Sequence, residues 1–98
     1  MILYFSKDDI LHIHSKLISD FGGSDGIRDE SMLESALNTP LQTFDSEDLY
    51  PTAVDKVVRL SFGLVMNHPF IDGNKRVGAA VLYLGLSANN VRFEVSDE

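Results

Sequence analysis

Nine consecutive residues, His68-Pro69-Phe70-Ile71-Asp72-Gly73-Asn74-Lys75-Arg76, bring together an imidazole, a carboxylate, a glycine, an amide and two cations. The ten residues that follow, Val77 to Leu86, carry no charge. A dense polar loop running into an apolar helix can aim backbone N–H groups and the positive end of the helix dipole at one anion. Gly73 permits the sharp turn and the close approach of backbone to a ligand. Lys75 and Arg76 are unfavourable in a first helical turn unless an anion offsets them, so they point to a bound phosphate. Asp72 suits Mg²⁺, which takes one or two carboxylates together with phosphate oxygens. His68, just before the turn, can take a proton from whatever attacks that anion.

Taken singly, each of these residues has a plainer use. Asp72-Gly73 is a common turn, His68 can cap the preceding helix, Lys75 and Arg76 can be a solvated pair, and Phe70 is a core anchor. Their conjunction within one loop carries the functional reading.

The elements that must position this loop are legible as patterns. Ser6 is read as an N-cap with Asp9 in a capping-box position. A first helix then runs from Lys7 to about Phe21, with Ile10, Ile13, Leu17 and Phe21 at helical spacing and Leu11, His14 and Ile18 beside them. Gly22-Gly23 stops it. His14 falls within the apolar stripe and is read as a hydrogen-bonded core histidine, with His12 pointing away. Gly22 to Gly26 reads as a connector, since it matches neither a Walker loop nor a dinucleotide fingerprint. Asp29 caps a second helix whose buried face is Met32, Leu33, Ala36 and Leu37, ended by Pro40. Leu41 to Tyr50 lacks periodicity and is long for an internal connection, which favours a functional loop. Pro51 suits the first turn of a third helix, with Val54, Val57, Val58, Ser61, Leu64 and Val65 as its apolar ladder. Val77 to Leu86 is apolar on every side, which places a fourth helix in the middle of the domain. Ile2 to Phe5 reads as a short strand or packed arm, and Val91 to Val95 alternates like a strand.

These elements predict an all-α fold: one compact helical domain over residues 1–98, built around a central buried helix, with room for a short flap or strand-like segments. A chain of 98 residues has space for one core and buries only about 60–65% of its unfolded surface. With no cysteine, disulfides, thiolate catalysis and cysteine zinc sites are excluded. No apolar run approaches the roughly 20 residues that span a bilayer, and the start lacks a signal peptide's basic leader, so a cytoplasmic location without membrane association is expected. A formal net charge of -7 disfavours direct nucleic-acid binding, while a small anion held at one point remains compatible.

The nine-residue stretch resembles the signature of the Fic/Doc family, a histidine–x–phenylalanine–x–acid–glycine–asparagine–(glycine or lysine)–arginine pattern. Gly22-Gly23 with Gly26-Ile27-Arg28-Asp29, Leu33-Glu34-Ser35-Ala36-Leu37, Tyr50-Pro51-Thr52 and Asn67-His68 resemble its death-on-curing (Doc) branch. The resemblance runs from about residue 5 to about residue 90. It implies transfer of a phosphate-containing group from ATP to a protein hydroxyl, with His68 as general base and Asp72 as the acid that holds Mg²⁺. Gly73, Asn74, Lys75 and Arg76 then form the phosphate-binding turn, and Phe70 is the anchor.

Many adenylyltransferases of the family have glycine at the position of Lys75 and a second arginine at that of Ala79. The pattern found here resembles the Doc branch, which implies kinase-like transfer of the terminal phosphate to a threonine of translation elongation factor Tu. The alternatives are protein adenylylation and a non-catalytic antitoxin- or target-binding module. The sequence lacks the family's inhibitory Ser/Thr–x–x–x–Glu–Gly/Asn pattern, so the resemblance implies restraint by a separate antitoxin. It also implies that Leu41 to Tyr50 is a flap pairing with the target's backbone. Doc-like chains continue with further helix beyond Val91 to Val95, so a C-terminally shortened domain is expected, in which exposed apolar surface invites an oligomer.

Overall fold

The computed structural model describes residues 4–89. Four helices dominate: α1 Lys7–Phe21, α2 Glu30–Asn38, α3 Ala53–Asn67 and α4 Asn74–Ala88. A 3₁₀ turn over Thr39–Leu41 follows α2, and a hairpin of β1 Thr43–Phe44 and β2 Glu47–Asp48 lies between that turn and α3. The predicted all-α class holds, with the hairpin as its one small sheet among the described residues.

The helices start where local chemistry tells them to. Ser6 caps α1 and Thr52 caps α3 through reciprocal capping boxes with Asp9 and Asp55, and Asp29 caps α2 by accepting from the Met32 amide. Hydrogen bonds from the Ser6 backbone and hydroxyl hold the Asp9 carboxyl below the usual carboxylate range. The Ser31 hydroxyl and the Met32 amide do the same for Asp29. Pro51 stands just outside α3 rather than in its first turn, because Thr52 takes the cap.

α3 and α4 form an antiparallel pair. Their close approach depends on two glycines: a Cβ on Gly78 would stand 2.5 Å from Val65 and 3.2 Å from the Ser61 carbonyl, and one on Gly85 2.7 Å from Val57. The Ser61 hydroxyl donates to the Gly78 carbonyl at 2.8 Å across this seam. On the other side of α3, Gly63 lies against Ala36 of α2. Ile10, Leu33, Ala36, Leu37, Leu60, Leu64, Phe70, Val77 and Val81 form the core.

The buried faces differ from expectation in register. α3 buries Lys56, Val57, Leu60, Gly63 and Leu64, while Val54 and Val58 are exposed. The periodic ladder in the sequence contained two overlapping stripes, and the one carrying Leu60 and Gly63 is the one that meets α2 and α4. Met32 and Phe21 are likewise exposed. α4 lies between α1 and α3, as its composition predicts. Its buried face is made by Asn74, Val77, Gly78, Val81 and Gly85, and Tyr83 and Leu84 lie outside it. Of the N-terminal apolar run, Tyr4 and Phe5 form a packed arm: the Tyr4 hydroxyl donates to the Leu37 carbonyl at 3.0 Å, and burial pushes its pKa up. Ile2, Leu3 and the strand expected at Val91 to Val95 lie outside the described residues.

The segment from Leu41 to Tyr50 is ordered by its hairpin. Asp45 and Ser46 both take positive φ, the signature of a tight hairpin turn. Lys56, only 6% exposed, reaches from α3 to the Asp48 carboxylate at 3.1 Å and to the Tyr50 carbonyl. Both strands are otherwise exposed along their length.

Candidate active site

The loop between α3 and α4 is set by its two ends. His68 caps α3 in the left-handed conformation, φ 49° and ψ 53°, which non-glycine residues adopt sparingly. Arg28 secures that reversal: its Nε donates to the His68 carbonyl at 2.5 Å and its Nη2 to the Asn67 carbonyl at 2.9 Å. A cation there also meets the negative end of α3. The Pro69 carbonyl accepts from the Arg28 and Asp29 amides, and the Ile71 amide donates to Gly26. The Gly26–Asp29 strand of chain therefore runs beside Pro69–Ile71, with an antiparallel bridge between Ile27 and Phe70.

Asn74 locks the loop from inside. Its side chain is buried, accepting from the Phe70 amide at 2.9 Å and donating to the Phe70 carbonyl at 3.0 Å. Those two bonds fix which end of the amide is nitrogen, and that nitrogen lies 3.3 Å from His68 Nδ1. A neutral His68 ring then accepts at Nδ1 and carries its proton on Nε2. Asn74 thus serves the cavity as a brace for His68 and, at the helix start, through its backbone N–H.

The turn into α4 presents backbone donors and cations together. Gly73 is left-handed, φ 78°, and offers no side-chain cap. The first intrahelical bond at this end runs from the Val77 amide to the Gly73 carbonyl, so the Asn74, Lys75 and Arg76 amides have no intrahelical acceptor. α1, α2 and α3 each have acid in their first turn, whereas α4 has none and carries two cations. His68, Ile71, Asp72, Gly73, Asn74, Lys75 and Arg76 line one cavity of about 400 Å³, within the usual size range of small-molecule sites. All six residues expected to do chemistry there are brought together.

Asp72 stands at its edge. One carboxylate oxygen accepts from the Gly73 amide at 2.8 Å and the other from the Ser24 amide at 3.2 Å. Each oxygen retains a lone pair, so the donor chemistry fits a hard divalent cation. Among the described residues no group of three His, Cys, Asp or Glu is gathered to hold a metal ion. A Mg²⁺ here would rest on Asp72 and on phosphate oxygens.

Sequence reasoning missed the segment that braces this site from behind its lining. Gly22 to Gly26, expected to be a connector, braces it: a Cβ on Gly23, at φ 118°, would stand 2.7 Å from Asp72 Oδ2, and Arg76 Nη1 donates to the Gly22 carbonyl at 3.1 Å. Arg76 also lies over the Phe21 ring. Arg28, just before α2, carries no local signal of its bonds to Asn67 and His68. Doubled glycine was the available signal, but its use depends on contacts some 48 positions away.

Lys75 and Arg76 divide the labour. Arg76 is tied to Gly22 and Phe21, while Lys75 is exposed at the cavity. Replacing Lys75 by alanine is therefore expected to stabilise the nucleotide-free protein by about 0.3–1 kcal/mol, by removing a cation from the positive end of α4. The same change should weaken the binding of any phosphate ligand in the cavity. Thermal melting and calorimetry would read these opposite signs.

The site is one interhelical loop of a helical domain, which sets an imidazole beside the uncapped start of the next helix. The chain belongs to the Fic/Doc family, which its residues 4–86 match, and whose members are enzymes transferring nucleotide-derived groups, generally from ATP, to proteins. It is similar to toxin Doc of Mycolicibacterium smegmatis, with 35% identity over 92 residues, covering 94% of this chain and 68% of the relative. No solved structure matches it. Among the described residues no helix is long and apolar enough to cross a membrane.

Proposed function

We propose that this protein is a Doc-like toxin that transfers the terminal phosphate of ATP to a Ser or Thr hydroxyl of a cytoplasmic protein, with elongation factor Tu as the target the resemblance suggests. Arrest of translation is the consequence. The observation that carries the reading is the shared cavity, in which the His68 ring and the uncapped start of α4 with Lys75 face one space. Lys75 in place of glycine, and Ala79 in place of an arginine, favour the terminal phosphate over the nucleotidyl group as the part transferred.

The target's hydroxyl oxygen attacks the γ-phosphorus and the bond to the β–γ bridging oxygen breaks, so that ADP leaves. The hydroxyl proton goes to His68, whose bare nitrogen in the neutral ring is Nδ1. Taking it there displaces the Asn74 contact, which at 3.3 Å is weak. The α4 amides and Lys75 hold the phosphates and offset developing charge, the main need of phosphoryl transfer. Bound at Asp72, Mg²⁺ would supply further charge neutralisation. The exposed hairpin β1–β2 offers free strand edges on which an extended target segment can add main-chain pairing. A separate antitoxin is the proposed restraint.

The test is incubation of the purified protein with a bacterial extract and ATP labelled at the γ or the α phosphate. Label should reach a protein band from the γ position alone. Transfer of the α label would establish adenylylation instead. No transfer, with no calorimetric signal for ATP and Mg²⁺, would make the protein a binding module.

A further inference from the structure

His14 is a buried histidine that the reaction above does not use. It is 1% exposed, and its ring lies flat on Phe70, with centroids 3.8 Å apart and planes 7° from parallel. Nε2 is 2.7 Å from the carbonyl oxygen of Asp72. A carbonyl only accepts, so Nε2 carries the proton and donates. Nδ1 faces Asp25 Oδ1 at 3.4 Å, and the Ser15 hydroxyl donates to the same carboxylate at 3.1 Å. The Phe70 stack therefore fixes where the Nε2–H points. On its far side, a Cβ placed on Gly73 would stand 3.6 Å from Nε2.

We propose that His14 is a positioning residue that sets the orientation of Asp72 and of the turn entering α4. The Asp72 carbonyl belongs to the same peptide plane as the Gly73 amide, and that amide donates to Asp72 Oδ1. Holding the carbonyl fixes the plane, which fixes both the carboxylate and the left-handed Gly73 from which α4 departs. The hold comes from α1, 58 positions away in sequence, so it does not depend on the loop's own bonds. Partners of a ligating carboxylate matter to the ion it binds, typically by about 10–100-fold in affinity. The assignment rests on the reading of Asp72 as the Mg²⁺-binding acid, and its test separates the two.

Glutamine and methionine have closely similar length and volume, and both lose the aromatic stack. Only glutamine can place an N–H near the Asp72 carbonyl. His14→Met and His14→Gln are therefore compared with the wild-type protein in two measurements. The first is amide hydrogen exchange at Ser24 and Gly73, the two donors to the Asp72 carboxylate, without nucleotide. The second is the Mg²⁺ concentration needed for ATP binding by calorimetry. His14→Met should exchange faster at both amides and need at least about tenfold more Mg²⁺, with His14→Gln returning both toward wild type. Identical behaviour of the two variants, or unchanged exchange at Ser24 and Gly73, would overturn the assignment. If the wild-type protein binds no ATP, the functional reading falls and the exchange comparison alone decides the role of His14.

Discussion

His68→Ala is expected to reduce transfer of the ATP label about 10²–10⁴-fold, the usual span for loss of a positioned general base. ATP binding should change little, because the α4 amides and Lys75 stay in place. The fold should also tolerate the change: the hold on the loop here runs through the residue 68 carbonyl and Arg28, which any residue provides. Alanine must keep the left-handed cap, but His68 already bears that strain, so stability should change little on this account. Single-turnover transfer beside calorimetry separates chemistry from binding. Wild-type transfer rates in the variant would remove His68 from the reaction.

Asn74→Leu should act on stability and activity together. Leucine is close to asparagine in size but leaves the Phe70 amide and carbonyl buried without partners, at about 1–3 kcal/mol each. His68 loses the side chain that braces it at the same time. Denaturant midpoints should fall and transfer should be lost, in contrast to Lys75→Ala, which weakens nucleotide binding without weakening the fold. A variant that melts like wild type while failing to bind ATP would instead return Asn74's side chain to the phosphate-binding role expected from the family signature.

The sequence made some of this legible for local reasons. Ser6, Asp29 and the stop at Gly22-Gly23 act within a turn of themselves, and a helix cap needs no distant partner to be recognised. The nine-residue signature was legible because its groups share one loop. Which stripe of α3 would be buried was not, since Val58 and Leu60 are both apolar and only the shapes of α2 and α4 choose between them. The brace formed by Gly22 to Gly26 and Arg28 was hidden for the same reason. Its bonds reach Asp72, Asn67 and His68, and nothing in the local composition announces an acceptor that far along the chain. His14 was placed correctly in the core, but its acceptor was not foreseeable from helical spacing.

The antiparallel pair α3–α4 carries the whole cavity lining on one short reversal of the chain. Contacts between segments so near in sequence cost little loop entropy and form early. The reactive loop is therefore expected to exist in rough form before α1 and Arg28 close over it. Their arrival then fixes its last degrees of freedom. Substitutions in α1 or in the Gly22–Asp29 segment should consequently loosen the final orientation of the loop while the hairpin of helices itself still forms.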